Sequence, residues 1–438
     1  MEYTSTSIRA SHTMDLLGYS REMIKIRQKY CAYFSETVDT PYGKSTEFYA
    51  GSKAEGLTAP FENDIDSVRV PSHIICTTEP RKHQHLLILL LDQYATAPGY
   101  TRLVHHNLRP ELYEQNKEVM VNILGKHYLS STAVKEAWKK ANAGYEDIGI
   151  DGSVTHHAYT GNHQGPSLTS NFRLINMNLD IVNAFTCDCP ELLEPWINRS
   201  RKHNWPPPNV VKEISLMEGH VVAIGNKSSG NEFLEWRICF TKAEIKLIQS
   251  LNDCQTKLLI LLKMIAKQEL KPLCREMTSY VMKNVVLWLS EMYPSNVFVN
   301  ENLISLLKMA LQFVKICLIN NALPSFMIEE RNLFADRVRR EEKLAVCVKI
   351  DELQIEGPDI ILRCKRVAEG MDKINTCPDD FYRYSSKRHM LEISHLEGIV
   401  YDIEAEKNHQ QYAIRPESVL RLLKLTDNNP MAFFSILS

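Results

Sequence analysis

The chain lacks any large excess of charge of one sign. Its 438 residues carry 51 Lys and Arg against 53 Asp and Glu, a formal net charge of −2. That balance argues against a protein coated with basic residues for wholesale nucleic-acid binding, and leaves room only for a local basic patch. The first twenty residues are polar and mixed, which does not read as a signal peptide. The run "LLILLL", Leu86 to Leu91, is far too short to span a bilayer. The 11 cysteines are scattered, and the "CDC" at Cys187 and Cys189 has no second close pair downstream. Packing thiols are therefore the commoner reading there, with a metal site as the minor one. Together these features predict a cytoplasmic protein with reduced thiols and no membrane partner. There is no internal repeat.

What is present is an ordinary globular composition and enough length for two or three domains. Residues 14–36 predict one long amphipathic helix. Leu16, Tyr19, Met23, Ile26, Tyr30 and Tyr33 form an apolar stripe at steps of three and four,. Arg21, Lys25 and Lys29 recur every four residues on another face. Such a row is most often a solvated outer face; its sharper reading is a rail for a phosphate backbone. Residues 40–70 hold a Gly-Ser turn and a strand, and residues 80–150 read as mainly helical. Strand character returns in residues 165–185, where Ile175, Met177 and Leu179 alternate with Asn176, Asn178 and Asp180,. "WPPP", Trp205 to Pro208, breaks the chain and reads as a connection between lobes,. From about 235 to 335 the pattern is helical, with Leu303, Leu307, Leu311, Val314 and Leu318 on one side of a buried helix,. The last hundred residues read as short strand-like and helical pieces.

The chemistry concentrates in "GSKAEGLTAPFENDIDSV", Gly51 to Val68. Asp64 and Asp66 sit two apart on a strand, so they point to one face with their backbones roughly 6 to 7 Å apart. Two carboxylates so placed repel each other unless a cation lies between them. Mg²⁺ takes oxygen ligands and is often completed by substrate phosphates. A third carboxylate from a neighbouring strand, for which Asp180 is the candidate, admits a second ion. Gly51 lets backbone approach an anion and Ser52 adds a hydroxyl donor. Taken singly, a "DID" or a Gly-Ser pair is a common turn. In this order and spacing they are the arrangement of a nucleotidyltransferase. An EF-hand calcium loop does not fit, because the glycine and glutamate it needs after Asp64 are missing,.

Six segments in order, "GSKAEGLTAPFENDIDSV", "GPSLT…LDIVNAF", "EWRICFTKAE", "LLILLKMIAK", "TSYVMKNVVLWLSE" and "LPSFMIEERNLF", resemble the male-abnormal (Mab) superfamily. That superfamily includes cyclic GMP–AMP synthase and the cGAS-like receptors. The likeness covers about residues 14–340. It implies an α+β, bilobal nucleotidyltransferase fold: a mixed twisted sheet with flanking helices, a long N-terminal spine helix and a C-terminal helical-bundle lobe. The implied division is a spine helix at 1–37, a catalytic core at 38–210, a helical lobe at 211–340 and an extension of unknown role at 341–438. By the resemblance, Asp64, Asp66 and Asp180 are the catalytic and metal-binding triad. Gly51, Ser52, Arg237, Lys263, Ser279 and Tyr280 bind nucleotide. The Tyr280 ring stacks on a base, which suits any base.

The resemblance implies an enzyme of innate immune signalling that joins two of ATP, GTP or UTP into a cyclic dinucleotide with Mg²⁺ or Mn²⁺. Double-stranded RNA on Arg21, Lys25 and Lys29 would activate it, and the chain would dimerise on that ligand. No zinc thumb is expected, because between Glu244 and Lys263 there is only Cys254 and no histidine,. The alternatives are a catalytically inactive scaffold or developmental regulator of the same fold, and a linear oligonucleotide synthase.

Overall fold

A computed structural model describes residues 3–37, 45–59, 65–83, 85–106, 114, 116–142, 146–148, 154–156, 167–172, 177–335 and 337–407. It is an α+β structure. The strands are β1 Ser45–Ala50, β2 Ile65–Pro71, β3 Ile74–Thr77, β4 Leu87–Asp92, β5 Tyr100–His105, β6 Met120–Ile123, β7 Lys126–Leu129, β8 Glu146–Ile148, β9 Val154–His156, β10 Ser167–Phe172, β11 Met177–Asp188, β12 Gly219–Val222 and β13 Glu235–Cys239. Among the described residues eleven of them join one mixed sheet, with β8 and β9 as a separate hairpin.

The hub is β11. Its first half lies between β10, antiparallel, and β2, parallel. Its second half pairs with β12 and β3. From there the path runs β12, β13, β5, β4 and back to β3, so this part of the sheet closes on itself. Closure is sealed by aromatic packing: Phe185 lies 5.4 Å from Trp236, which is fully buried. The last two strands of the sheet come from beyond residue 210.

The expected helical stretch at 80–150 is corrected. Among the described residues it holds β4 to β8 and, apart from a short helical turn or two, only the helix Ser131–Asn142. A short apolar run such as "LLILLL" fits a sheet strand as well as a buried helix, and periodicity alone cannot separate them. The single long N-terminal helix is also corrected. Two helices, Thr4–Met14 and Arg21–Thr37, are separated by a π-turn at Asp15–Tyr19, with Gly18 at φ +89°. A Cβ at Gly18 would lie 1.7 Å from the Arg388 guanidinium, so only glycine fits at the break.

The residues after 240 are mainly helical. The helix Leu303–Ile319 buries Leu303, Leu307, Leu311, Val314 and Leu318 completely, as the leucine spacing predicts. It is long and apolar enough to cross a membrane by composition, yet half of the Asn300–Ile319 window is buried inside this structure. The expected mixture of strands in the last hundred residues is corrected. As far as the chain is described it is helical: Arg340–Ile355, Lys365–Thr376 and Pro378–Lys407.

Two buried ionic clusters tie the N-terminal helices to the rest. The Lys257 ammonium, almost fully buried, lies 2.7 Å from Asp15 and 2.8 Å from Asp253 and donates to Ser11. Arg27 donates to the Glu392 Oε2 at 3.0 Å, and Arg388 lies 3.4 Å from the same oxygen. All three of these side chains are nearly inaccessible. Glu392→Ala leaves two buried guanidiniums without their counter-charge. It should lower the unfolding free energy by about 3 kcal/mol or more, read from the urea midpoint; an unchanged midpoint would show that the cluster contributes nothing.

Candidate active site

The site begins with strand register. β2 runs parallel to β11 with Asp66 directly opposite Asp180. On its other side β2 pairs with β1, placing Ala50 opposite Asp66. The chain therefore leaves β1 level with the two aspartates and turns at Gly51 into the short helix Gly51–Ala54. Gly51 has φ +60°, and a Cβ there would stand 2.1 Å from the Asp66 Oδ2. Only glycine permits both the turn and the close approach. Asp64 lies outside the described residues, one position before β2 begins.

Other elements converge on this point. Lys263, from the helix Asp253–Ile265, donates to the Ser52 hydroxyl at 2.6 Å. Burial lowers its pKa, with Glu55 acting the opposite way. The helix Ser279–Met292 starts at the cap residue Thr278, whose hydroxyl accepts from the Val281 N–H. Its first turn thereby presents Ser279 and Tyr280. The Tyr280 hydroxyl donates to Glu244 at 3.0 Å, and burial pushes its pKa up to about 12. Arg237 comes from β13, where the alternation turns Trp236 into the core and Arg237 to the cavity. Gly51, Ser52, Asp66, Arg237, Lys263, Ser279 and Tyr280 line one cavity of about 480 Å³. Asp180 lines an adjoining one of about 750 Å³ that shares Ser52, Asp66, Lys263 and Ser279.

Arg21, Lys25 and Lys29 lie apart from this group, exposed along the helix Arg21–Thr37. Other side chains of that helix touch the active-site turn. Gln28 donates to the Glu55 carbonyl at 2.9 Å, and Arg27 to the Gly56 carbonyl at 3.3 Å. A Cβ on Gly56 would meet the Ile24 carbonyl at 2.6 Å.

Several charged residues of the cavity were not singled out from sequence, among them Glu55, Glu244 and Lys283. Lys283 is ion-paired with the buried Glu55 and lies 3.6 Å from Glu244. Despite burial, those two carboxylates hold its pKa above the ordinary lysine value. The signal was available in part: Lys283 falls one turn after Ser279, and Glu55 one turn after Ser52.

Carboxylate oxygens are the donors that a hard divalent cation takes, and the paired Asp66 and Asp180 under a bare glycine fit such an ion. Among the described residues no group of three His, Cys, Asp or Glu side chains converges on one point. The third carboxylate of the triad, Asp64, is outside them.

Residues 254–352 match the family model described as the Mab-21 protein HhH/H2TH-like domain. The matched segment carries Lys263, Ser279 and Tyr280, together with Lys283.

Gly51→Ala should lose divalent-cation binding, measured by Mn²⁺ titration, and cost about 1 to 2 kcal/mol of stability from the positive φ. Wild-type Mn²⁺ affinity in the variant would show that Gly51 is not needed for close approach. Stability should also depend on pH through two histidines. Burial pushes the pKa of His220, on the cavity wall, and of His395 down to about 4. Between the ordinary value of 6.5 and 4, the unfolded chain takes up protons that the folded chain refuses. Stability therefore falls as pH drops through that window, by about 1.4 kcal/mol per pH unit for each imidazole. His220→Gln should remove its own contribution from the slope of urea stability between about pH 6.5 and 5; an unaltered slope contradicts it.

Proposed function

The Mab-21 C-terminal domain places this chain in the Mab-21/cGAS family, and from that premise we propose that it is a bilobal nucleotidyltransferase. It would join two nucleoside triphosphates into a cyclic dinucleotide, each ribose hydroxyl displacing pyrophosphate from an α-phosphate, so that two pyrophosphates leave. The observation that carries the reading is Asp180 in register with Asp66 beneath the Gly51–Ser52 turn. Such pairing places two like charges side by side, an arrangement that a bound divalent cation offsets.

On this reading each side chain has a task. Ser52 and the turn backbone bind the donor polyphosphate, and Lys263 brings positive charge to the same point. Asp64, Asp66 and Asp180 would hold Mg²⁺ or Mn²⁺, which when bound supplies positive charge to a reacting phosphate and its leaving group. Asp180 takes the proton from the attacking ribose hydroxyl. Tyr280 offers a ring face to a base and Arg237 a fork to a base edge or phosphate. The protein's contribution is mainly position and charge. After the first bond forms, the linear dinucleotide turns in the cavity and closes.

Double-stranded RNA is the proposed activator, lying on Arg21, Lys25 and Lys29 and read by shape and backbone. The hydrogen bonds from Gln28 and Arg27 to the carbonyls of Glu55 and Gly56 give it a direct route to the active-site turn.

Asp66→Asn combined with Asp180→Asn should abolish incorporation of labelled nucleoside triphosphates into phosphatase-resistant product, with the fold retained. Persisting product would remove the metal assignment. Product absent from the wild-type chain with every nucleic acid tried would favour the scaffold. Reversing Arg21, Lys25 and Lys29 to glutamate should weaken RNA binding and flatten its salt dependence, the log–log slope falling by roughly 2 to 3. Unaltered RNA binding would move the ligand elsewhere.

A further inference from the structure

The helix Arg340–Ile355 buries one face and leaves another bare. Val346, Cys347, Ile350 and Leu353 point into the core. Leu344, Val348 and Ile355 point away from it, at 66%, 49% and 86% exposure. With Asp351, also exposed, they follow one another at steps of four, three and four. That spacing is the seam along which two helices pack. The apolar surface continues onto the neighbouring helix Leu303–Ile319. Gln354 donates to the Lys308 carbonyl and Lys315 pairs with Asp351, so the two helices run in opposite directions. Ile316 and Ile319, both exposed, therefore lie toward the Leu344–Val348 end of the seam. Single exposed aliphatic side chains are ordinary on a protein surface. Five on two adjacent helices make a patch, which is the mark of a contact surface.

The charges at the two ends of the seam indicate what covers it. At its start Arg340 and Lys343 make no ion pair among the described residues, and just past its end neither does Asp359. The ends thus carry unpaired charge of opposite sign. A second copy of the same helix laid antiparallel brings each basic start to the other's acidic end, and Leu344 against Ile355. A parallel copy would set like charges together, which is unfavourable. Asp351 keeps Lys315 as its partner within each copy, so no carboxylate is stranded in the seam,. One polar position in an otherwise apolar seam also fixes the register. The face is therefore complementary to itself, as a two-fold contact requires.

We propose that two copies of the chain associate through this face, antiparallel about a two-fold axis and with no nucleic acid bound. One helix and the edge of its neighbour form a small contact for a permanent dimer, so the association depends on concentration. Nothing in it requires nucleotidyl transfer, and none of the cavity residues takes part.

The test is sedimentation equilibrium of the full chain, free of nucleotide and nucleic acid, from about 1 to 100 μM. The wild-type average mass should rise with concentration from that of one chain toward that of two. Leu344→Glu with Ile355→Glu should weaken the association by about tenfold or more. Leu124→Glu, at a fully exposed leucine between β6 and β7, should leave it unchanged. Equal melting temperatures in dilute solution show that these variants fold. Arg340→Glu with Lys343→Glu should also weaken the association, and adding Asp359→Lys should recover part of the loss, because the ends are then complementary again. A wild-type monomer throughout the range overturns the proposal and leaves the face to a partner of another sequence. A dimer that Leu344→Glu with Ile355→Glu does not weaken overturns it too, by placing the contact elsewhere. A dimer that the leucine and isoleucine changes abolish but the charge reversal leaves intact overturns the antiparallel arrangement.

Discussion

The register of two parallel strands holds the site together. Because β2 and β11 are neighbours with Asp66 opposite Asp180, two like charges stand a strand spacing apart, about 4.8 Å at the backbone. A one-residue slip would send Asp180 to the other face, since side chains alternate. The slip is resisted from the far half of β11, where Ala184, Phe185 and Cys187 are buried in the closed part of the sheet. Packing energy at one end of a twelve-residue strand thus fixes carboxylate geometry at the other. Gly51 depends on the same register, because its bare Cα is what lies against Asp66.

Much of this is legible in the sequence where the causes are local. Period-two alternation assigned the strand that carries Asp180, and the leucine steps between 303 and 318 assigned a buried helix. Local patterns failed where distant groups decide. The apolar stripe through Leu16, Tyr19 and Met23 reads as one helix, yet the Arg388 side chain fills the space at Gly18 and the helix breaks there. "LLILLL" became a strand because β3 and β5 stand ready on either side of it. No local pattern marks Arg27, Lys257 and Glu392 as buried; each has a counter-charge that comes from far along the chain.

The cavity divides the same way. Glycine, serine and aspartate announce themselves by spacing, since turn and strand geometry relate them directly. Lys263, Arg237 and Tyr280 lie on separate elements, and only the resemblance pointed to them. Lys283, Glu55 and Glu244 escaped notice although they lie within the quoted segments. A buried lysine between two carboxylates is identified by its surroundings, which a linear reading does not contain. Such a group costs several kcal/mol to desolvate and is held only by well-placed partners, so it stiffens the wall behind Tyr280.

The helix Arg21–Thr37 connects these parts mechanically. One face is exposed and basic, a second donates hydrogen bonds to the turn that follows Ser52, and Arg27 is clamped to Glu392 of the last helix. A ligand pulling on the basic face cannot move the helix alone. It must carry the Glu55–Gly56 backbone with it or separate Arg27 from a fully buried carboxylate. Since the second is expensive, small displacements pass to the turn, and Gly56, whose missing Cβ leaves it hard against the Ile24 carbonyl, has little space to absorb them. Glu392 and Arg388 of the last helix therefore fix the spine from behind.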